Sequence, residues 1–568
     1  MRKASEWLYF IIAFVAFAFI VTRIWKKPKE LIKIQSPPSY NLNVLEQGIR
    51  ESLTQVVNQN LSKLNIRASE MEKCQKTRSV LRTTLRTCGL GDSGAKDYVK
   101  DYMKELLQRK FLITPDTIDQ IIPFDTPEKL TVRDKFDILL FLYRSKFGYG
   151  RRALEHLFMK YGLDERKQDL EGRPKYEVTK KEMEEIYIDE LQKLNFADKL
   201  EILTQRIFSM NKGNGVIDDL IYQKIDGVSG GVEGAPEDTY RSVYIMYHGK
   251  SIHLSFLSFE SEKELRRVCK NIYKFDAPGQ MSQATGYMVN SLKSGARVSD
   301  MRPPFASSWT FWIRMFDSVE KRRIEELFPQ MGKERLALLL SYIIKGEQTS
   351  VISGQQGCGK TTCLEALVDY INPVYNIRTI ELTFELQLQK VYPSRNIAAM
   401  RETKTVTTEE AIEFVKKTDA DVVIFGEIAK EVEGEKVIKL SQSGSRFSLS
   451  THHGVSTEAL INWFRNALLH CSGFHNEKVA EEQVVDAIRF DIHLVKQSNG
   501  VRIIDRVTEI IRNQNSSQDI YRVHDIMRFE DGEYKMIHSI SASAQKAILG
   551  NLEEGDKAGF IHLMEEVL

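Results

Sequence analysis

The run Ser350-Val351-Ile352-Ser353-Gly354-Gln355-Gln356-Gly357-Cys358-Gly359-Lys360-Thr361-Thr362 constrains this chain more than any other segment. A short apolar strand enters a G-x-x-x-x-G-K-T loop, and Thr362 to Leu367 read as a helix beyond it. That order belongs to an α/β core with a phosphate-binding loop. The backbone N–H groups of Gly354, Gln355, Gln356, Gly357, Cys358 and Gly359 are expected to close around phosphates. Lys360 reaches the β/γ oxygens, the Thr361 hydroxyl ligates magnesium, and Thr362 opens a helix whose N-terminus points at the anion. The expected ligands are therefore ATP and Mg2+.

The other half of such a site is sought on strands that follow. Ala420-Asp421-Val422-Val423-Ile424-Phe425-Gly426-Glu427 reads as a buried strand ending in an acid, so Glu427 is placed at the magnesium shell or the attacking water. Thr379-Ile380-Glu381-Leu382-Thr383-Phe384-Glu385 offers two more carboxylates, with Glu381 expected to meet the metal-bound water. Arg446 to His453 forms a further strand, and a hydroxyl and an imidazole at its end suit a γ-phosphate sensor. Phosphoryl transfer also calls for positive charge on the departing oxygens, for which Arg297 and Arg314, with Arg302 behind them, are the candidates.

A length of 568 residues implies several domains. Lysine plus arginine number 80 against 78 acids, so no global basic footprint announces nucleic acid. Six cysteines without C-x-x-C pairs argue against a disulfide framework and a structural zinc site. Trp7 to Thr22 carries no charge and is apolar apart from Thr22, and the stretch Trp7–Trp25, at about 1.5 Å per residue, spans roughly 28 Å as a helix. Arg23, Lys26, Lys27, Lys29 and Lys33 outnumber Arg2 and Lys3, which predicts a single-pass anchor in the cytoplasmic membrane with the bulk of the chain in the cytoplasm.

Four segments are expected. Residues 1–34 hold the transmembrane anchor and its basic flank, and 35–210 a charged helical region. Residues 211–330 form an α+β domain with a hairpin around His248-Gly249-Lys250 and a helix over Glu260–Tyr273 capped by Ser258 or Ser261. A helical segment from Ser318 to Ile344 leads into the α/β core at 331–568, where strands alternate with helices as in a parallel sheet.

Taken together, these motifs resemble the secretion and pilus-assembly ATPases of type II and type IV systems, closest to the CpaF-like branch, over about Val216 to Leu568. Gly354–Thr361 matches the nucleotide loop of that family, and Thr379–Glu385 looks like its acidic box. Asp421–Glu427 looks like its second nucleotide motif, and Ser443–His453 its histidine box, with His453 at the family histidine. Segments Ser294–Val298 and Thr310–Arg314 resemble the arginine-bearing stretches. The resemblance implies a RecA-like core preceded by a PAS-like α+β domain. It also implies a homo-oligomer, commonly a hexamer, that couples ATP hydrolysis to protein or pilin translocation at a membrane platform protein. A DNA-transfer motor of conjugation is the alternative within the same superfamily and is not favoured, for want of basic pore loops. Leu382, Ala429 and Ser445 depart from the family pattern, and a nucleotide-binding structural subunit with weak hydrolysis is the alternative they support.

Overall fold

A computed structural model describes residues 40–58, 68–148, 150–169, 171–275, 281–316, 321–403, 405–471, 474–513 and 520–566. The expected membrane segment Trp7–Trp25 lies outside these residues. Among the described residues, no helix is long and apolar enough to cross a membrane. The chain divides into two compact units, which part between Met315 and Phe316.

In the first unit, the stretch before Asn211 is mostly helical, as expected, but three short strands interrupt it between Lys167 and Val178. Three of them begin with capping boxes: Thr131 with Asp134, Thr179 with Glu182, and Asn195 with Asp198. In each, the side chain of the cap accepts a backbone N–H that the first turn leaves unpaired. The amphipathic stretch around Lys135–Arg144 lies in the helix Val132–Lys146, which buries Phe136, Leu139, Leu140 and Tyr143.

After a small hairpin of β1 (Lys167–Gln168) and β2 (Pro174–Lys175), seven strands make a second layer. They are β3 (Glu177–Val178), β4 (Gly227–Gly230), β5 (Val243–Tyr247), β6 (Lys250–Leu254), β7 (Tyr287–Ser291), β8 (Arg297–Met301) and β9 (Thr310–Arg314), in the order β3-β6-β5-β4-β9-β8-β7. The β5–β6 hairpin turns at His248 and Gly249, with φ of 47° and 72°, as a two-residue turn with both φ positive requires. The expected helix spans Glu262–Ile272, and Ser261 caps it. One core of buried residues runs from Leu45 to Met315, so the early helices and this sheet are packed as a single body.

The first unit also buries charge. The Arg206 guanidinium, 7% exposed, is held by Asp134 at 2.8 Å and Asp137 at 2.6 Å.

The second unit opens with a break the sequence did not announce. The expected helical run Ser318–Ile344 is two helices, Ile324–Leu327 and Lys333–Lys345. Gly332 lies between them at φ 80°, where a Cβ would come within 2.6 Å of the Tyr534 carbonyl.

Nine strands follow: β10 (Ser350–Gly354), β11 (Ile377–Glu381), β12 (Ile397–Arg401), β13 (Val422–Ile428), β14 (Phe447–His452), β15 (Phe490–Lys496), β16 (Arg502–Arg512), β17 (Tyr521–Glu530) and β18 (Glu533–Met536). Their order is β12-β11-β13-β14-β10-β15-β16-β17-β18. From β12 to β15 neighbours run parallel, and from β15 onward they are antiparallel. The expected parallel core is thus present, but an antiparallel meander that alternation alone did not predict extends it. Buried apolar clusters line the parallel sheet, as two-sided cover by helices requires.

Removing Asp134 strips the buried Arg206 of a partner and dismantles the capping box at Thr131. Asp134→Ala is expected to cost about 3–5 kcal/mol of stability, read as a shift of the urea denaturation midpoint, while the exposed Lys181→Ala leaves it unmoved.

Candidate active site

Strand β10 runs between β14 and β15 and delivers the loop at its C-terminal end. Gly354 has φ 140°, and a Cβ there would meet the Leu494 carbonyl at 2.2 Å. Gly357 and Gly359 have φ of 77° and 101°, in the left-handed region that glycine reaches without strain. No atom lies within 4 Å of a Cβ built on Gly357. Lys360 begins the helix Lys360–Leu367, with Thr361 and Thr362 in its first turn. Gln355 and Gln356 are part of the loop, and Cys358 packs beneath it fully buried, where burial pushes its thiol above the usual range.

The Lys360 ammonium is only 7% exposed. It donates to the carbonyls of Gly354 at 2.8 Å and Gln355 at 3.0 Å, and lies 3.2 Å from Nδ1 of His453. His453 Nε2 lies 2.8 Å from the Glu427 carboxylate. One imidazole therefore bridges the loop lysine and the strand-end acid, three residues the sequence singled out separately. His452, the other histidine of the pair, turns inward. Its Nδ1 meets the Ile428 carbonyl at 2.9 Å, its ring packs on Trp463, and burial lowers its pKa.

The aim of Glu427 comes from the backbone. Between Phe425 and Ile428 the register of β13 against β14 shifts, the signature of a bulge. Thr451 Oγ1 donates to the Gly426 carbonyl at 2.5 Å within the irregular stretch.

Glu381 ends β11 but lies differently from expectation. Its carboxylate is 4% exposed and accepts from Thr379 Oγ1 at 2.7 Å and from the Leu386 N–H at 2.9 Å. Burial raises its pKa to about 7. A Cβ on Gly426 would stand 3.0 Å from Glu381 Cγ, so Glu381 backs the strand that carries Glu427. Glu385 accepts from Thr383 Oγ1.

Arg297 and Arg314 belong to the first unit, opposite each other in the β8–β9 register, and Arg302 stacks over Trp309 with its guanidinium 4.9 Å from the ring centre. Of the three departures, the Ala429 N–H is taken by Glu433 at 2.9 Å. The Ser445 hydroxyl is buried without a hydrogen-bond partner among the described residues. Nothing in the structure explains Leu382.

Two elements of the site escaped the sequence reading. Arg502, at the start of β16, donates from Nε to the Gly357 carbonyl at 3.2 Å and so clamps the loop from the far side of β15. Below the loop, Ser353 Oγ lies 2.5 Å from Asp491 and 2.8 Å from His493 Nδ1, and Thr457 donates to the other Asp491 oxygen at 2.8 Å. Burial raises the Asp491 pKa and lowers that of His493 to about 4. The signal was available: Phe490-Asp491-Ile492-His493-Leu494 puts two polar residues on one side of an otherwise apolar run.

Magnesium calls for hard oxygen donors. The Thr361 hydroxyl and the Glu427 carboxylate are of that kind, and open space around Gly357 leaves room for phosphate to complete the shell.

This geometry is that of a phosphate-loop nucleotide site. Residues 288–467 match the family described as Type II/IV secretion system protein, so that stretch of the chain is similar to the secretion ATPases of that superfamily. The uncharacterized protein MJ1287 of Methanocaldococcus jannaschii is 27% identical over 208 residues, 36% of this chain and 72% of that protein. Competence protein ComGA of Bacillus subtilis is 29% identical over 174 residues, which is 29% of this chain and 46% of that protein. Among solved structures, the VirB11 ATPase of the Brucella suis type IV secretion system has 19% identity and a TM-score of 0.27, covering 51% of this chain and 93% of its own.

A carboxyl with a native pKa near 7 against 4.5 when unfolded keeps its proton in the native state while the unfolded chain loses it. Stability from Glu381 is therefore complete below pH 4.5 and falls as pH rises through 7. By urea denaturation, the stability of Glu381→Gln relative to wild type should rise by about 3 kcal/mol between pH 4.5 and pH 8. An unchanged difference would mean the carboxylate ionises normally.

Proposed function

We propose that this chain is a magnesium-dependent ATPase of a secretion or pilus-assembly apparatus, working as a ring, commonly a hexamer, that couples hydrolysis to protein or pilin translocation. The observation that carries the reading is the contact series Lys360–His453–Glu427 beneath an intact phosphate loop. Loop N–H groups and Lys360 hold the phosphates. To do so the ammonium exchanges the Gly354 and Gln355 carbonyls for phosphate oxygens, which also relieves its contact with His453. The imidazole is then placed to report on the γ-phosphate, and Glu427 to orient water and take its proton. Bound magnesium would supply charge neutralisation on the phosphates, with Thr361 and Glu427 as the residues to hold it. Glu381 supports the Glu427 strand from behind in this scheme and does not ligate.

Anchorage through Trp7–Trp25 at the cytoplasmic membrane would keep such a motor beside its platform protein. Arg297 and Arg314 remain the candidates for charge stabilisation during transfer. A second reading, a subunit that binds nucleotide and scarcely turns it over, is favoured by the unpartnered Ser445 hydroxyl and by Ala429 and Leu382.

Lys360→Ala should abolish ATP binding and hydrolysis. Glu427→Gln should bind ATP with wild-type affinity while kcat falls by at least about a hundredfold, the scale of a general base. Wild-type protein that binds ATP, assembles and shows no turnover would select the second reading.

A further inference from the structure

The first unit carries a half-open cavity of about 360 Å³, within the size range of small-molecule sites. Its apolar wall includes Phe208, Ile221 and Tyr222. Its polar rim includes Lys212, Asn271 and the turn Gly89-Leu90-Gly91.

The charges around it do not balance. Asp92 on the rim is already taken by Lys293 and by the Ala95 N–H. Asp218 is taken by Lys96, by Gln205 and by the Asn214 N–H. Nearby Arg50 has Glu46, and Arg267 has Glu264. Neither Lys212 nor Lys274 forms an ion pair among the described residues: Glu46, the carboxylate that acts on Lys212, is held by Arg50, and Lys274 donates to Asn271 at 2.7 Å. Burial and the neighbouring cations push both lysines below their usual range: Arg50 and Arg267 for Lys212, Arg267 and Lys212 for Lys274.

The C-terminal end of the helix Phe196–Asn211, where Lys212 sits, attracts one cation through the helix dipole. Arg267 already fills that role, donating to the carbonyls of Ser209 and Gly213. Lys212 lines this cavity with its aromatic wall, and Lys274 reaches it through its hydrogen bond to Asn271, which lines it too. We propose that this cavity binds a small organic anion, with its phosphate or carboxylate head on Lys212 and Lys274 and its apolar body against Phe208, Ile221 and Tyr222. Such a molecule would touch the helix Phe196–Asn211, the helix Glu262–Ile272 and the Gly89–Gly91 turn at once, and so would stiffen this unit independently of the phosphate loop.

The test is a fluorine NMR titration of the purified full-length chain with two probes, 4-fluorophenyl phosphate and 4-fluorobenzoate. At least one should bind with Kd under about 1 mM, and Lys212→Met and Lys274→Met should each weaken it about tenfold or more. Lys360→Ala should bind the same probe as wild type does. The tighter of the two probes identifies the head group. The proposal is overturned if neither probe binds below that limit, if both methionine variants bind as wild type does, or if Lys360→Ala is the variant that loses binding. Lys274 is exposed, so its variant keeps the test readable should Lys212→Met fail to fold.

Discussion

A buried ammonium must be satisfied, and the site is organised around that requirement. Lys360 is nearly inaccessible, and two carbonyls of its own loop together with an imidazole hold it in place. Desolvating a cation without such partners would cost several kcal/mol. The loop can therefore keep its phosphate-ready shape only while the lysine has something to donate to. The carbonyl oxygens of Gly354 and Gln355 serve that purpose, and in the proposed function phosphate oxygens would be the stronger replacement. His453 shares the lysine with the loop and meets Glu427 with its other nitrogen, so one imidazole links the two.

The scaffold makes this exchange local. Strand β10 is flanked on both sides by parallel neighbours, its Gly354 is packed against the Leu494 carbonyl, and Arg502 ties Gly357 from the direction of β16. Beneath it the Ser353–Asp491–His493–Thr457 cluster is buried and satisfied mainly by short hydrogen bonds, a polar knot in an apolar sheet. Such knots are costly when half-made and rigid when complete. The loop thus has a fixed base, and side-chain exchange at Lys360 need not disturb it.

Much of this was legible beforehand, for identifiable reasons. The phosphate loop is contiguous, so its chemistry and its strand–loop–helix setting could be read from one segment. Glu427 was found because it ends an apolar run, and the pair His452–His453 because it ends a strand, with His453 singled out by the family resemblance. What the sequence hid was pairing. Nothing local says that β14 lies between β10 and β13, which is what brings His453 between Lys360 and Glu427. Glu381 was placed at the reaction because acids at strand ends usually face solvent, yet the chain turns back so that the Leu386 N–H covers it. Arg502 lies far along the chain from the loop and announces itself by no motif. Gly332 splits a helical pattern whose apolar spacing looked continuous, because the constraint there is a carbonyl from Tyr534.

The irregularity between Phe425 and Ile428 has a wider implication. A side chain aimed by its own rotamer can drift among wells, whereas one aimed by a misfit between two strands turns only if the strands re-pair. Strand β14 therefore acts as a jig: Thr451 grips the Gly426 carbonyl inside the misfit, and His453, just past the strand's last residue, meets the acid that the misfit turns out. The aim of Glu427 and its contact with His453 are written on one short stretch of backbone. A slip of that strand by a single residue would part His453 from Glu427 and turn the acid away together.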